Sequence, residues 1–341
     1  MKLWQWRRPQ KGQKGFTLVE ILVSLVMASV IVVSLGALLV DMLQTETREA
    51  SLNQLRQDLK AAMDLISTDL SQAVFVYNGH CLAGDTSGQC GEGTRSQALT
   101  NFLPAFPSTM QPVLAMWILE PVPYDQNQLG YDTYTIPQNC NNAWPESLRP
   151  DCIALQNARR AHTLVVYYLD TTPSSLWQGR ARLRRYALRK YRVLTNTYLE
   201  LNQGYVEPTG STSFAQWPIN VNTNTSMQSA RPEANMGRAV VVTDFIDLNW
   251  DNPNALIPCQ GAVATPFTPA YVRTPLASSG VPNSFYACVQ SRGASFNNAT
   301  LVYLRGNPQG MPGIRPQDEA TRPVITTTVL SRSVHRKVPN F

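Results

Sequence analysis

The sequence predicts an α+β fold in which one long N-terminal helix packs on an antiparallel sheet with large loop insertions. Prolines mark the division: none lies between Pro9 and Pro104, and 23 of the 24 lie from Pro104 onward. Apolar residues recur at helical spacing in the first part and form short β-branched and aromatic runs in the second. We expect a leader over 1–15, a helix over 16–77 and a β-rich globular domain over 78–341.

The apolar run at the start of the predicted helix is long enough to cross a membrane. It covers residues 16–40, which are 25 residues, and at 1.5 Å per residue a helix of that length spans about 37 Å. A secretory signal peptide has a shorter apolar core and is cut after it, whereas here the small residue Gly15 precedes the run. The sequence therefore predicts a single transmembrane helix.

Basic residues at the N-terminus predict the orientation of this helix and explain the net charge of +6. Five of these charges precede residue 16 with no acidic residue among them, on Lys2, Arg7, Arg8, Lys11 and Lys14. The basic side of a membrane helix stays in the cytoplasm, so the domain over 78–341 is expected outside it. The rest of the chain is nearly neutral, and we expect no nucleic-acid partner.

The helix is expected to continue beyond the membrane as an amphipathic segment. Apolar residues repeat at steps of three and four, with charged residues between them, which is typical of a stripe that packs on a globular domain. The stripe does not keep strict heptads, which disfavours a coiled-coil dimer. Its members are Leu52, Leu55, Leu59, Ala62, Ile66, Leu70 and Ala73.

One residue of the apolar run, Glu20, carries a charge. A carboxylate inside a membrane costs about 2.5–3.5 kcal/mol at the helix centre and less near the helix end. Two interpretations follow from the residue alone. Glu20 is solvated among the lipid headgroups, or it pairs with a cation that another molecule supplies.

The string Lys14-Gly15-Phe16-Thr17-Leu18-Val19-Glu20 resembles the cleavage and assembly box of type IV prepilins. The resemblance implies that a prepilin peptidase cuts between Gly15 and Phe16, and that the new amine of Phe16 is methylated. It implies further that Glu20 neutralises the Phe16 amine of a neighbouring subunit. The physical logic is coherent, because a buried carboxylate needs a cation and the cleavage creates one.

The same resemblance implies a pilin-like fold, a set of partners and a location. The partners are the prepilin peptidase, other pilins or pseudopilins, and the assembly platform of the bacterial inner membrane. The chain would cross that membrane once, with its domain in the periplasm, and then enter a filament that reaches the cell surface.

Beyond Tyr77 the pattern favours strands. The candidates are 113–119, 163–169, 182–194, 239–250, 299–304 and 324–330. Stretches rich in Pro, Asn, Gly, Ser and Thr separate them, notably 78–111, 121–151, 203–236 and 251–283. We expect one antiparallel sheet on the helix, with these stretches as loop insertions.

Parts of this region resemble the large PilW-type minor pilins and, more closely, the C-type pseudopilins of cyanobacterial hormogonium polysaccharide secretion. The resemblance rests on 69–77 (DLSQAVFVY), 112–117 (PVLAMW), 163–169 (TLVVYYL) and 327–332 (TTVLSR). It implies a structural subunit that supports polysaccharide secretion and surface motility. The alternative is an adhesin module that binds glycan or protein on a pilus.

Six cysteines follow the apolar run, which places them on the oxidising side of a membrane. Sequential pairing is the simplest of the 15 possible arrangements, because each pair then closes a short loop. The pairs would be Cys81 with Cys90, Cys140 with Cys152, and Cys259 with Cys288. A zinc site is disfavoured because there is no C-x-x-C and His80 is the only histidine beside a cysteine.

Two charged clusters allow a binding interpretation and a structural one. The segment 182–192 carries six basic residues and no acid. Its side chains either contact an anionic polysaccharide or cover a sheet edge against aggregation, and we favour the second. Asp244, Asp247, Asn249, Asp251 and Asn252 could ligate calcium, but they lack the spacing of a calcium loop and are more typical of turns.

Catalysis has no support in the sequence. The nucleophile-elbow, phosphate-loop, dinucleotide and zinc-protease motifs do not occur. The three histidines, His80, His162 and His335, are far apart along the chain. We expect no enzyme activity, no cofactor and no metal, and most of the tryptophans and tyrosines should pack in the core rather than stack on sugars.

Overall fold

The structure is a computed structural model. It describes residues 15–84, 90, 97–122, 136, 139–141, 146–194, 199–210, 212–220, 222–234, 239–248, 259, 271–276, 283–290, 299–314 and 322–331. The helices are α1 (Leu18–Gln72), α2 (Gly79–Ala83) and α3 (Arg149–Ala158), with short 3-10 helices at Leu99–Phe102 and Glu146–Leu148.

The strands of the first sheet are β1 (Ala73–Val76), β2 (Met110–Pro121), β3 (Arg160–Asp170), β4 (Ala181–Leu188) and β7 (Val240–Ile246). A two-stranded ladder consists of β5 (Tyr191–Leu194) and β6 (Leu199–Leu201), and the second sheet of β8 (Tyr271–Thr274), β9 (Phe285–Gln290), β10 (Ala299–Arg305) and β11 (Val324–Leu330). The α+β fold with a long N-terminal helix and antiparallel pairing is thereby confirmed.

The helix α1 is 55 residues long and ends earlier than Tyr77, where the sequence analysis placed its end. Ala73 turns to an extended conformation and begins β1, which pairs with β2. Ala73 can face the core both as the next residue of a helix and as the first residue of a strand. The apolar pattern therefore does not show where the helix ends. The helix therefore passes directly into the sheet that it packs on.

The first sheet has the order β1-β2-β3-β4-β7, with every pair antiparallel. Its central strands are apolar on both faces, so core lies on both sides of the sheet. On the inner side, Leu114, Val165 and Leu183 pack with the apolar stripe of α1 and with residues of the second sheet.

The outer side of the first sheet has an aromatic core. Trp117 and Trp217 lie with their ring centroids 5.3 Å apart at an angle of 73°, and both are completely buried. Trp117 donates a hydrogen bond of 3.0 Å to the hydroxyl of Tyr77, which donates one of 2.6 Å to the carbonyl of Phe214. Parts of the segments expected to be loop insertions, within 78–111 and 203–236, therefore form a packed layer over the sheet.

The expectation of one sheet is wrong, because the described strands form two sheets and a separate ladder. The second sheet has the order β11-β10-β9-β8, and α1 contacts strands of both sheets. All six expected strands occur, although 182–194 is broken into β4 and β5 at Arg189 and Lys190. Four further strands, β1, β6, β8 and β9, were not expected.

Three disulfides join parts of this domain. Cys81 of α2 pairs with Cys90, Cys152 of α3 with Cys140, and Cys288 of β9 with Cys259. This is the sequential arrangement. The first disulfide lies in the aromatic core of the outer layer, and Cys81 is consumed by it, so the zinc interpretation at His80 and Cys81 is wrong.

The loop that contains Pro312 and Gly313 contacts α1 at the point where the helix leaves the domain. Ser51, the first buried residue of α1, donates a hydrogen bond of 2.8 Å to the carbonyl of Pro312. Gly313 has a φ of 73°, and a Cβ added there would lie 2.9 Å from the backbone nitrogen of Arg48. Residues 18–50 of α1, which we call the stem, extend beyond this contact by about 50 Å at 1.5 Å per residue.

We predict that Gly313→Ala destabilises the domain by about 1–2 kcal/mol, because alanine resists a positive φ and its Cβ would crowd the helix backbone. Gly210→Ala is the control, since a Cβ at Gly210 meets nothing within 4 Å, and we expect a change within about 0.5 kcal/mol. Urea unfolding of the purified chains measures both. Equal stability of the two variants would mean that the loop does not hold the helix.

Candidate functional site

The N-terminus of α1 is capped within the string that resembles the prepilin box. Thr17 is the N-cap residue, and its side-chain oxygen accepts a hydrogen bond of 3.3 Å from the backbone nitrogen of Glu20. A threonine followed three residues later by a glutamate is the pattern of a capping box, so both residues suit a helix start. This local role was not predicted, although the spacing of Thr17 and Glu20 is a signal for it.

Glu20 is exposed in the first turn of α1 and forms no salt bridge with any described residue of its own chain. A carboxylate in this position is favoured by the positive end of the helix dipole, typically by 0.3–1 kcal/mol. Gly15, Phe16 and Thr17 precede the helix, and Thr17 has an extended backbone. The carboxylate is thus presented at the tip of the helix, next to the expected cleavage site.

Over residues 21–40 the stem is apolar on all sides. Nearly every large side chain between Phe16 and Leu43 is exposed, and Phe16 itself is 77% exposed. A helix that is apolar all round has to be covered by lipid or by other protein. Among the described residues α1 is the one helix that is long and apolar enough to cross a membrane.

The other half of α1 is attached to the domain by an apolar stripe. Its buried residues are Ser51, Leu55, Leu59, Ala62, Met63, Ile66, Asp69 and Leu70. The stripe expected from the sequence is confirmed from Leu55 to Leu70, whereas Leu52 is only partly buried. Asp69 is the exception among these residues, because it brings a carboxylate into the contact between helix and sheet.

Asp69 is the centre of a buried network between α1 and the first sheet. Arg185 of β4 donates two hydrogen bonds to its carboxylate, at 2.7 and 3.1 Å, and Tyr167 of β3 donates one of 2.6 Å. Burial by itself lowers the pKa of Arg185, but the hydrogen bonds and charge of Asp69 outweigh it and raise that pKa. Arg185 is therefore charged, and its two hydrogen bonds to Asp69 form a bidentate pair.

The interpretation of the segment 182–192 as the exposed cover of a sheet edge is wrong. Its main strand, β4, lies between β3 and β7, and Arg182 is 1% exposed. Arg184 donates a hydrogen bond of 2.6 Å to Asp170, and Arg189 donates one of 2.6 Å to Glu120. These cations are occupied by carboxylates of the same chain, so they do not form an open site for a polysaccharide.

Lys190, near the end of the basic segment, is also paired with carboxylates of the same chain. Its ammonium donates hydrogen bonds of 2.8 Å to Asp151 and to Glu207, and the ring of His162 lies 2.8 Å from the other oxygen of Glu207. Burial raises the pKa of Glu207, but the contacts with His162 and Lys190 outweigh it and hold that pKa at about 2. Arg192, which is more exposed, pairs at 3.5 Å with Glu200.

The acidic cluster considered for calcium is also engaged within the chain. Asp247 lies 3.0 Å from Arg305 and 3.5 Å from Arg322, and Asp244 accepts a hydrogen bond of 2.9 Å from the backbone of Gly179. Asn249, Asp251 and Asn252 lie outside the described residues. No group of three or more metal-ligating side chains occurs in the part of the chain that the structure describes.

An open cleft lies between α1, the loop after β3 and the strand β7. It has a volume of about 440 Å³, and its lining includes Asp58, Trp177 and Asp244. Asp58 accepts a hydrogen bond of 2.8 Å from Gln54 of the same helix, and the oxygen of Asp244 that holds Gly179 fixes the loop to the strand. Both carboxylates therefore have a structural role.

Comparison with known proteins identifies the N-terminal segment. The family described as the prokaryotic N-terminal methylation motif matches residues 10–36. The chain carries a prepilin-type motif. No curated protein and no solved structure matches the chain, so the domain after the helix is characterised by its own structure.

We predict that Asp69→Ala destabilises the protein by about 3 kcal/mol, the lower end of the range for breaking a buried pair, because Arg185, whose side chain is 19% exposed, loses its nearest counter-charge. The triple substitution Asp69→Leu, Tyr167→Phe and Arg185→Met replaces the network with apolar groups and should recover most of the loss. Thermal or urea unfolding measures both effects.

Glu200→Ala is the matched control for this prediction, since its partner Arg192 has a side chain that is 47% exposed. Loss of an exposed pair should change stability by less than about 1 kcal/mol. A similar small loss for Asp69→Ala would contradict a role of the Asp69 network in holding the helix.

Proposed function

We propose that this protein is a structural subunit, a minor pilin or pseudopilin, of a filament of the type IV pilus or type II secretion class. The observation that carries the proposal is the continuous stem. It joins a prepilin-type motif to an apolar helix that no described residue of the same chain covers. Lipid covers such a helix before assembly, and the helices of other subunits cover it afterwards.

The chemistry of the motif supports assembly through Glu20. Cleavage between Gly15 and Phe16 would remove the five basic residues of the leader and leave a single cation, the amine of Phe16, at the end of an apolar helix. Methylation keeps this amine basic. Glu20 lies four residues after Phe16, and its carboxylate in a neighbouring subunit is the natural partner of this amine. Either charge alone is costly in an apolar environment.

The attachment of α1 to the domain suits a filament subunit. The stem is the assembling part, and the domain has to follow the position of the helix without slipping. Both an apolar stripe and a bidentate pair between Asp69 and Arg185 join the two. The domain would be carried on the outside of the filament as one unit with the helix.

The wider role that we propose is support of polysaccharide secretion or surface motility, as for the pseudopilins that the sequence resembles. In this proposal the domain is periplasmic before assembly and reaches the cell surface in the filament. Its partners are the prepilin peptidase, other pilins and the inner-membrane assembly platform. A displayed glycan- or protein-binding module is the alternative, and the occupied cations of segment 182–192 give it no support.

Processing is the first test of the proposal. We predict that the mature chain starts at N-methylated Phe16, and that Gly15→Val blocks cleavage because a β-branched side chain replaces the small residue at the peptidase site. Mass spectrometry of the N-terminus, with and without the peptidase in the host, measures both. A mature start elsewhere with the peptidase present would refute the assignment of the motif.

Glu20 is the second test. We predict that Glu20→Ala and Glu20→Gln insert into the membrane at least as well as wild type, since a charge is removed from the bilayer, but enter filaments poorly. Fractionation of cells into membranes and sheared filaments measures insertion and assembly separately.

Two variants separate this role from helix capping. Thr17→Ala removes the cap to Glu20 and keeps the carboxylate, so it should assemble nearly normally. Glu49→Ala removes an exposed carboxylate further along α1 and should do the same. If Thr17→Ala fails as Glu20→Ala does, the carboxylate acts on its own helix and not on a neighbour.

A further inference from the structure

The arginines of the two sheets differ in whether a carboxylate neutralises them. Among the described strands, Arg273 of β8 is the one buried or partly buried arginine that forms no salt bridge with a described residue. A guanidinium withdrawn from water without a counter-charge is costly. The others are paired within the chain, Arg182 and Arg184 with Asp170, Arg185 with Asp69, and Arg305 with Asp247.

The guanidinium of Arg273 is held in place by two neighbours on β9. Its central carbon lies 4.6 Å from the centre of the Tyr286 ring, and its Nη2 donates a hydrogen bond of 2.7 Å to Oδ1 of Asn283. Its Nε is buried and has no hydrogen-bond partner among the described residues. The group is therefore fixed before any ligand arrives, which reduces the entropy lost on binding.

The pKa of Arg273 supports the absence of a nearby carboxylate. Burial lowers this pKa, and the neighbouring Tyr286 offsets the effect only in part. At Arg185 burial acts in the same direction, but Asp69 outweighs it and the pKa rises. The guanidinium of Arg273 stays protonated in either case. It is therefore a charge that has lost water and has gained no anion in exchange.

The groups around Arg273 are hydrogen-bond donors and an aromatic ring. Asn283 is partly exposed and uses Oδ1 for Arg273, so its Nδ2 remains without a partner among the described residues. Tyr271 is also partly exposed. It lies two residues before Arg273 on the same face of β8, about 7 Å along the strand. The site thus combines one cation, a free amide donor and a ring.

We propose that Arg273, Asn283 and Tyr271 bind the carboxylate and ring of an acidic sugar unit of a polysaccharide. Nη1 and Nη2 of a guanidinium lie side by side, with the spacing of the two oxygens of a carboxylate. The Nδ2 group of Asn283 can donate to a sugar oxygen, and the ring of Tyr271 offers a flat apolar surface to the sugar ring. This inference rests on the proposed location of the domain outside the membrane and on no other part of the proposed function.

The charge of the site favours a carboxylate over a phosphate. Arg273 supplies one positive charge, which matches one carboxylate, whereas a phosphate monoester carries between one and a half and two negative charges at neutral pH. A carboxylate of a partner protein would match the charge equally well. It would make no use of the ring of Tyr271, so the observations favour the acidic sugar and the other two ligands become outcomes of the test.

The test uses the full, unprocessed chain in a non-ionic detergent and isothermal titration calorimetry. The probes are oligogalacturonate and oligoglucuronate, and we expect saturable binding of at least one of them. The fully methyl-esterified form of that oligomer keeps the sugar rings and loses the charge, so it should bind at least roughly tenfold more weakly. Inorganic phosphate and a glutamate-rich peptide are titrated in the same way and should bind more weakly than the oligomer.

A matched pair of variants locates the site. Arg273→Gln removes the cation and should weaken binding of the oligomer at least roughly tenfold. Arg180→Gln removes an exposed cation from the loop after β3 and should leave binding unchanged. Tyr271→Leu keeps the cation and removes the ring, so it should weaken binding of the oligomer and leave binding of free acetate unchanged. Equal melting curves establish that the variants are folded.

Three results would overturn the proposal. The first is no saturable binding of either oligomer up to about 10 mM. The second is equal binding by wild type and Arg273→Gln, or by the charged and esterified forms. The third is tighter binding of phosphate or of the acidic peptide that Arg273→Gln abolishes, which would assign the site to that ligand. Since neither cleavage nor a filament is involved, failure of the processing and assembly tests would leave this result unaffected.

Discussion

The contact between Asp69 and Arg185 sets the position of the long helix on its domain. An apolar stripe fixes which face of the helix meets the sheet, but its non-directional contacts leave the helix some freedom to shift along the sheet. A bidentate ion pair does not, since a displaced carboxylate would leave a guanidinium buried and unpaired. With Tyr167 donating to the same carboxylate, two adjacent strands fix one point of the helix.

The strand β4, which carries Arg185, shows how the first sheet is buried on both faces. The side chain of Arg185 reaches the helix side through Asp69, and that of Tyr186 packs in the aromatic layer on the other side. An antiparallel sheet normally leaves one face to water. Here the segments that carry Trp217 and the disulfide between Cys81 and Cys90 cover that face, so long polar-looking stretches are part of the core structure.

Much of the architecture could be predicted from the sequence, because it depends on local patterns. The helix, the apolar stripe and six strands follow from periodicity, and the cysteine pairs agree with the shortest loop closures. The end of the helix at Gln72 could not be predicted, since the apolar pattern continues into β1. Strands β8 and β9 escaped prediction for a related reason: each is short, and β9 contains a disulfide cysteine and aromatic residues that also suit a loop.

The basic segment shows the limit of sequence patterns most clearly. Six cations with no acid between them suggest an exposed surface, yet their partners come from distant parts of the chain. Asp69 is 116 residues away from Arg185, and Glu120 is 69 residues away from Arg189. A local charge count cannot distinguish a solvated surface from a strand whose counter-charges arrive with the fold.

The motif at Glu20 is the opposite case, because there the sequence is more informative than the structure of one chain. Within a single subunit Glu20 is an exposed carboxylate at a capped helix start, and its geometry alone would suit an ordinary N-terminal turn. What makes it exceptional is its surroundings, since the helix that it begins is apolar on every side for its next twenty or so residues. A carboxylate at the end of such a surface is stable in water or beside a cation, and packing against other stems removes the water. In the proposed filament, assembly would therefore require a cation, and the proposed processing at Gly15 would produce one that the carboxylate of a neighbour can reach.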